Sequence, residues 1–485
     1  MKILVVGGGT AGLIAATIIK KRFDFVVDVV RSSDIGIVGV GEGSTEHFRE
    51  YLNFMQIDPY EMIYQTDSTY KVGIMFRGWA DEDYLHNVND NFSLSTGQYH
   101  HVYANQISKN SNMVADYTKE GMLDSWFLNK KEHFVANQFH FDTYKLNLFL
   151  SRIAKNMGVR FYEDEIIKVN LSESGRISDI VGKNNSYEYD FYIDATGFNK
   201  TLIGNMESKW VSFGEHLKVN SAITFQTESN KNNIELWTTA TAMDHGWMFS
   251  LPTWRHIGNG YVYDNHYTDK ESAKKEIENF LCRDIEIGKS FVFDPGFLDK
   301  VWVKNCLAIG LSGSFIEPLE ATSIGSSIQQ SFLLINYLST YTQNDIDSYN
   351  DSFRSIMENI RDFVFLHYIT KKENTEFWRE VSNIPYPEFL KKMMEIWKNR
   401  LPIEEDFVGQ SRYKLFGPKN YIVVMQGLRM FNEDLIKKEL FSNSKEIISD
   451  AQKAVQELGY LDIKMKKISH KKFIEFVRDY SQGFT

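Results

Sequence analysis

The chain has 485 residues, 43% hydrophobic and 24% charged, with 8 prolines, which suffices for a large core and excludes a disordered or collagen-like polymer. Its 54 basic residues against 64 acidic ones give a formal charge of −10, which argues against a nucleic-acid binder, since that needs a basic face. No run of about 18 apolar residues occurs and the two cysteines, Cys282 and Cys306, match no zinc or redox spacing, so the expectation is a cytoplasmic protein with reduced thiols and no membrane span.

Taken in chain order, residues 2–6 read as a buried strand. Gly7-Gly8-Gly9-Thr10-Ala11-Gly12 follows, then a helix over 13–21 and a second strand over 25–30, the spacing of a βαβ unit. Residues 45–64 read as one helix with Phe48, Tyr51, Leu52 and Met55 on one face. Residues 69–76 alternate as one strand, 141–157 read as a helix, and 159–171 and 191–194 as strands. Runs at 218–227, 234–242, 247–251 and 260–264 form a β-rich middle; 304–310 is a further strand leading into a helix near 323–338. Beyond about residue 350 the apolar spacing is helical.

Gly7-x-Gly9-x-x-Gly12 between strand and helix allows a pyrophosphate to approach backbone N–H groups at the helix start. The acidic residue expected at the end of the second strand is absent; the sequence there is Val29-Val30-Arg31-Ser32. Two more strands end in small-residue turns, Asp190 to Phe198 and Asn305 to Gly313. Three such elements, spread this far apart, suit a flavoprotein monooxygenase-like FAD fold, whereas a simple NAD domain would finish within roughly 150 residues. No second glycine-rich fingerprint for NAD(P)H is present. The expected class is therefore α/β: a discontinuous Rossmann-type FAD-binding domain over 1–350 with inserted β-rich segments, and a mainly helical region over 351–485.

Several ordered segments together resemble the flavin-dependent halogenases of the tryptophan-halogenase type: 7–12; Gly39-Val-Gly41-Glu42-Gly-Ser-Thr45; Thr69-Tyr-Lys71-Val-Gly-Ile-Met-Phe76; 190–198; Gly246-Trp247-Met-Phe249-Ser-Leu251-Pro252; 255–263; Phe315-Ile-Glu-Pro318-Leu-Glu320-Ala-Thr322; and 361–368. The resemblance implies a two-component enzyme whose β-rich segments bind substrate and whose helical region over 351–485 caps the substrate pocket. A separate NAD(P)H flavin reductase delivers reduced FAD; with O2 and a halide ion this yields hypohalous acid, which halogenates a small aromatic or heteroaromatic substrate. It places FAD against Gly7, Gly9, Thr10, Ala11, Gly12, Gly41, Glu42, Gly310 and Thr322. It makes Lys71 the residue that polarises or carries the halogen, and Glu320 the group that orients the electrophile or takes the ring proton. From strand alternation alone, Lys71 would read as a solvated lysine.

The halide site falls on Thr322 and the Ser323 backbone. The family usually has glycine where Ser323 stands, and a preference for bromide or iodide over chloride is the resulting expectation. The family's Trp-x-Trp-x-Ile-Pro segment, taken to keep substrate away from flavin, becomes Trp247-x-Phe249-x-Leu251-Pro252. Phe76, Trp79, His101 and Tyr103 are the candidate substrate contacts, while His140 and His367 read as packing or hydrogen-bonding residues. No metal-ligand spacing is seen. A flavin-dependent aromatic hydroxylase and a non-catalytic FAD-binding protein stay open as alternatives, and the oligomeric state is left open.

Overall fold

The computed structural model describes residues 1–33, 36, 39, 41–87, 104, 122–124, 138–453 and 467–481. The Val-rich strand Lys2–Val6 lies between Phe191–Asp194 and Val26–Arg31, parallel to both, with Val6 opposite Asp194 on one side and Val30 on the other. Arg160–Glu163 and Cys306–Ala308 extend the sheet in parallel, and Trp302–Val303 closes one edge antiparallel. Such a sheet needs cover on its faces. The helix Thr10–Arg22 buries every residue from Gly12 to Ile19 and packs against the helix Thr322–Leu334.

A second sheet of seven strands holds the β-rich middle, in the order Lys289–Val292, Ser221–Glu228, His256–Tyr263, Gly246–Pro252, Trp237–Met243, Gly73–Arg77, Tyr84–Asn87. Its neighbours are antiparallel except Gly73–Arg77 with Trp237–Met243. A small third sheet joins Glu42–Gly43, Gln138–Phe141 and Thr69–Lys71. The C-terminal part is helical as expected, from Gln343–His367 through Glu433–Phe441. A short strand, Lys467–Ser469, then pairs with Met122–Asp124 before the helix His470–Ser481. No described helix is long and apolar enough to cross a membrane.

Three expected elements divide. The helix read over 45–64 becomes His47–Met55 and Pro59–Gln65. Gln56 turns left-handed at φ +60°, and Asp58 Oδ1 accepts the Tyr60 N–H at 2.9 Å to start a new helix with Pro59 in its first turn. The strand read over 159–171 breaks at Asp164. That buried carboxylate accepts from the N–H groups of Glu165, Asn184 and Asn185 and from the Tyr187 hydroxyl, which turns the chain out of the central sheet. The strand read over 69–76 divides at Val72: Thr69–Lys71 belongs to the small sheet and Gly73–Arg77 to the seven-stranded one. Lys71 therefore stands where one sheet hands over to the other.

Candidate active site

At the end of Lys2–Val6 the glycines serve different purposes. Gly7 has φ +111°, and a Cβ there would run into the Ala195 carbonyl oxygen; a Cβ on Gly12 would run into the Gly7 carbonyl. Gly9 caps the helix with no side-chain hydrogen bond, with nothing within 4 Å of where a Cβ would stand and no acidic residue in the first turn. The N–H groups at Thr10 and Ala11 thus open on an uncluttered, electropositive helix end. Gly310, at φ +60°, closes against this loop, its Cβ position 2.6 Å from the Ala11 methyl. This cradle fits a dinucleotide pyrophosphate. Arg31, standing where an acid was expected, pairs with Glu163 at 2.7 Å and lies over the Phe161 ring. Gly41 donates to Thr143 Oγ1 at 3.2 Å, and Glu42 beside it is pushed up to about 7 by removal from water.

Lys71 is buried, not solvated. Its neighbours Tyr70 and Val72 are equally enclosed, because this short strand is covered on both faces. The Nζ donates to the Ser44 carbonyl at 2.8 Å. Gly43 leaves the room: a Cβ there would stand 3.5 Å from both Lys71 Nζ and the Ala321 methyl. Burial pulls the lysine down to about 8, with the Glu320 charge opposing part of that shift.

Glu320 is also buried, and two histidines meet it. His86 Nδ1 lies 2.9 and 3.0 Å from its two oxygens, and His367 Nε2 lies 2.9 Å from Oε1, out of line for a straight hydrogen bond. The His367 Nδ1–H donates to the Phe363 carbonyl at 2.9 Å. Asn420 keeps its Oδ1 on the Gly417 N–H at 2.9 Å, which turns its Nδ2 toward His86 Nε2 at 3.4 Å and leaves His86 Nδ1–H for the carboxylate. Burial would raise the Glu320 carboxyl, but the two imidazoles of His86 and His367 beside it outweigh that and hold it down at about 2. The three side chains bring ligand-type atoms within 4.8 Å of one another. Each histidine is committed to the carboxylate, and the cluster is read as an anion clamp.

After Glu320, Ala321 takes φ +54° and caps the helix Thr322–Leu334 without a side-chain hydrogen bond. Thr322 is buried, while the Ser323 side chain is exposed. The first-turn amides of this helix suit an anion in charge and direction.

An aromatic wall stands beside the pair. Phe76 stacks on His367 at 4.6 Å and on Tyr84 at 4.8 Å. Trp79 donates to the Ala240 carbonyl at 3.0 Å and is ringed by Phe76, Tyr368 and Trp378. Both are fully enclosed. Trp247 is buried with Phe249 6.1 Å away, and the Phe249 ring fills the space a side chain at Gly260 would take. Trp247 Nε1 points at Glu317 Oε2 at 3.4 Å, which also accepts from the Tyr368 hydroxyl at 2.8 Å. Burial pushes the Glu317 carboxyl up to about 8. His101 and Tyr103 lie outside the described residues.

The sequence reading did not single out His86, Glu317 or Asn420, and gave His367 a packing or hydrogen-bonding part, which its contacts with Phe76 and Phe363 match. A sequence signal existed for Glu317, one of two glutamates flanking Pro318-Leu319. His86 and Asn420 sit 234 and 100 positions from Glu320, beyond any local pattern.

The tryptophan halogenase family model matches residues 2–439. Tryptophan 6-halogenase SttH of Streptomyces toxytricini is 29% identical over 469 residues, spanning 88% of this chain and 89% of that one. Among solved structures, Xcc4156, a flavin-dependent halogenase from Xanthomonas campestris, superposes with TM-score 0.84 at 28% identity, covering 98% of this chain and 97% of the other. Tar14, a tryptophan C-6 flavin-dependent halogenase (chlorinase) from taromycin biosynthesis, reaches TM-score 0.88 over 98% and 99% of the two chains, at 24% identity a likeness of fold. The chain belongs to the tryptophan halogenase family and is a flavin-dependent halogenase, an oxidoreductase with the α/β fold of that family.

Proposed function

We propose that the protein is a two-component halogenase acting on a free, electron-rich indole or related small aromatic molecule, with Lys71 and Glu320 as its working pair. The observation that carries this reading is that Lys71 and Glu320 are both buried and act on each other, with burial pulling the lysine down to about 8. FAD held at Gly7, Gly9, Thr10, Ala11, Gly12, Gly41, Glu42 and Gly310, reduced by a separate NAD(P)H flavin reductase, would supply with O2 the oxidation of halide to hypohalous acid. Everything after that falls to the chain's own groups.

With a pKa near 8, Lys71 is mostly an ammonium at pH 7. It donates a proton to the oxygen of the hypohalous acid as the O–X bond breaks, releasing water while the ring carbon bonds to the halogen. The neutral amine left behind takes up the ring proton, which restores both the aromatic ring and the ammonium. One group serves as acid and then base because its pKa lies close to the working pH. Glu320 is too acidic for the base role. Its fixed negative charge, held by His86 and His367, stabilises the cationic ring intermediate.

Thr322 and the Ser323 amide form the halide site, with bromide or iodide preferred over chloride. Trp247 and Phe249 keep substrate from the flavin. Phe76, Trp79, His101 and Tyr103 are the substrate contacts of this reading. The relative's name as a tryptophan 6-halogenase supports indole substrates, tryptophan first.

The test is turnover with FAD, NADH, an unrelated flavin reductase and chloride, bromide or iodide, alone and in competition, on tryptophan and simpler indoles. Halogenated product with a bromide or iodide excess is expected, together with a shift toward chloride in Ser323→Gly. A chloride preference in the parent enzyme would remove the halide reading, and hydroxylated product would remove the halogenase mechanism.

A further inference from the structure

Among the described residues, the strand that carries Lys71 has one ladder partner, Gln138–Phe141. On its outer side, two N–H groups two residues apart point toward the stretch leading into Trp237–Met243. The Val72 N–H donates directly to the Leu236 carbonyl at 2.7 Å. Stepping both chains back by two residues makes the next rung Tyr70 N–H to the Ile234 carbonyl. That rung is not direct. The imidazole of His470 is spliced into it: its Nδ1–H donates to Ile234 O at 3.1 Å, and its Nε2 accepts the Tyr70 N–H at 3.1 Å.

The two hydrogen bonds have opposite requirements, Nδ1 donating to a carbonyl and Nε2 accepting from an N–H. The ring is therefore held in a single tautomer, in agreement with burial pulling it down to about 4. The histidine opens the helix His470–Ser481, which docks firmly here. Phe473 packs on Tyr70 at 5.1 Å and on Tyr60 at 6.0 Å, and Arg478 pairs with the buried Asp67 at 2.8 Å. His470, Phe473 and Arg478 lie beyond residues 2–439, the stretch matched by the family model.

We infer that His470 is a positioning residue for Lys71: spliced into the ladder next to the lysine, its imidazole sets the separation of the two strands and so where the Lys71 backbone and Nζ stand. A direct rung would draw Tyr70 toward Ile234 and carry its neighbour with it. An empty rung would leave a buried N–H unpaired and admit water to the strand edge. The inference rests on the reading of Lys71 as a working group, but the placement itself can be measured without turnover.

The experiment uses the full-length protein labelled with 13C at the lysine ε carbons, with Lys71 assigned by its loss in Lys71→Met. The Lys71 signal is titrated in the parent, His470→Ala, His470→Gln and Arg478→Ala, and kcat, KM and Tm are recorded for each. Parent Lys71 should titrate near 8, and in His470→Ala the midpoint should move up toward the ordinary lysine range. Displacement of a reacting group on the ångström scale costs about 100-fold, and that loss is expected in kcat with KM little changed. His470→Gln, which can donate and accept as the ring does, should recover part of both. Arg478→Ala should lower Tm without moving either the titration or kcat.

An unmoved Lys71 midpoint in a folded His470→Ala, or in His470→Gln should alanine prevent folding, overturns the inference. So does an equal loss of kcat in Arg478→Ala at an equal loss of Tm. If Lys71→Met retains full turnover, the reading of Lys71 fails, while a shifted midpoint in His470→Ala would still establish the placement.

Discussion

His86 Nδ1 sits within 3.0 Å of both oxygens of Glu320, so a single ring hydrogen is presented to the whole carboxylate edge. The ring cannot turn away, because Asn420 faces its other nitrogen and is itself tied to Gly417. The acidity of Glu320 is thus set by residues on Tyr84–Asn87 and Gln343–His367, with Asn420 on Pro418–Gly427 fixing the His86 ring.

Removing this donor is therefore costly. His86→Ala leaves a buried carboxylate short of its partner, and such changes cost about 3 kcal/mol of stability. The Glu320 pKa should rise, so that the variant's halogenation rate falls on the acid side at a higher pH than in the parent. A pH–rate profile with a matched melting curve checks this. An unchanged acid limb would show that His367 alone holds the carboxylate.

Lys71 links activity to stability. Its folded pKa lies below the unfolded value of about 10.5, so the unfolded chain binds more protons between pH 8 and 10.5 and stability from this group rises across that window. At pH 7 the buried ammonium is a burden, and Lys71→Met should abolish halogenation while gaining on the order of 2 kcal/mol. Turnover in the parent should decline above pH 8 as the ammonium is lost. Denaturant melts at pH 7 and 10 and a rate profile from pH 6 to 10 measure both.

Glu317 runs the other way. Its folded pKa near 8 lies above the usual 4.5, so the folded state binds the extra proton between those values, and the stability it contributes below pH 4.5 is lost as pH rises to 8. Glu317→Gln should match the parent within about 1 kcal/mol at low pH, where both side chains are neutral. It should be the more stable of the two at pH 8. Parallel Tm curves across that range would contradict the account.

The two glycines of the cofactor loop separate folding from binding. Gly7→Ala forces a methyl into the Ala195 carbonyl at φ +111° and should destabilise the loop itself, whereas Gly9→Ala meets no protein atom within 4 Å. Gly9→Ala should therefore fold normally and still weaken FAD, since its methyl projects where the pyrophosphate approaches. Flavin-fluorescence titration alongside melting curves distinguishes the two effects.

The glycine loop between the first strand and helix was legible in the sequence because its signal is local, Gly7, Gly9 and Gly12 within six residues where a strand turns into a helix. The burial of Lys71 was not legible. Alternation assigns one face of a strand to water only if that face is uncovered, and here Thr69–Lys71 leaves one sheet just before the chain enters another. The helix break at Gln56 and the sheet change at Asp164 were equally hidden, since both depend on a single backbone angle or a ring of hydrogen bonds from distant loops. His86 on Glu320 and His470 on Tyr70 span 234 and 400 positions. Only the folded chain brings them together.

The central claim is that Lys71 directs the halogen to the substrate. The most direct measurement follows tryptophan by mass spectrometry and NMR in the complete system of FAD, NADH, flavin reductase and bromide, with parent, Lys71→Ala and Glu320→Gln compared at equal flavin occupancy. The account predicts one monobrominated regioisomer from the parent, at least about 100-fold less from each variant, and undiminished oxidation of reduced flavin in all three. Equal yields with scrambled regiochemistry in Lys71→Ala, the mark of hypobromous acid reacting free in solution, would contradict it.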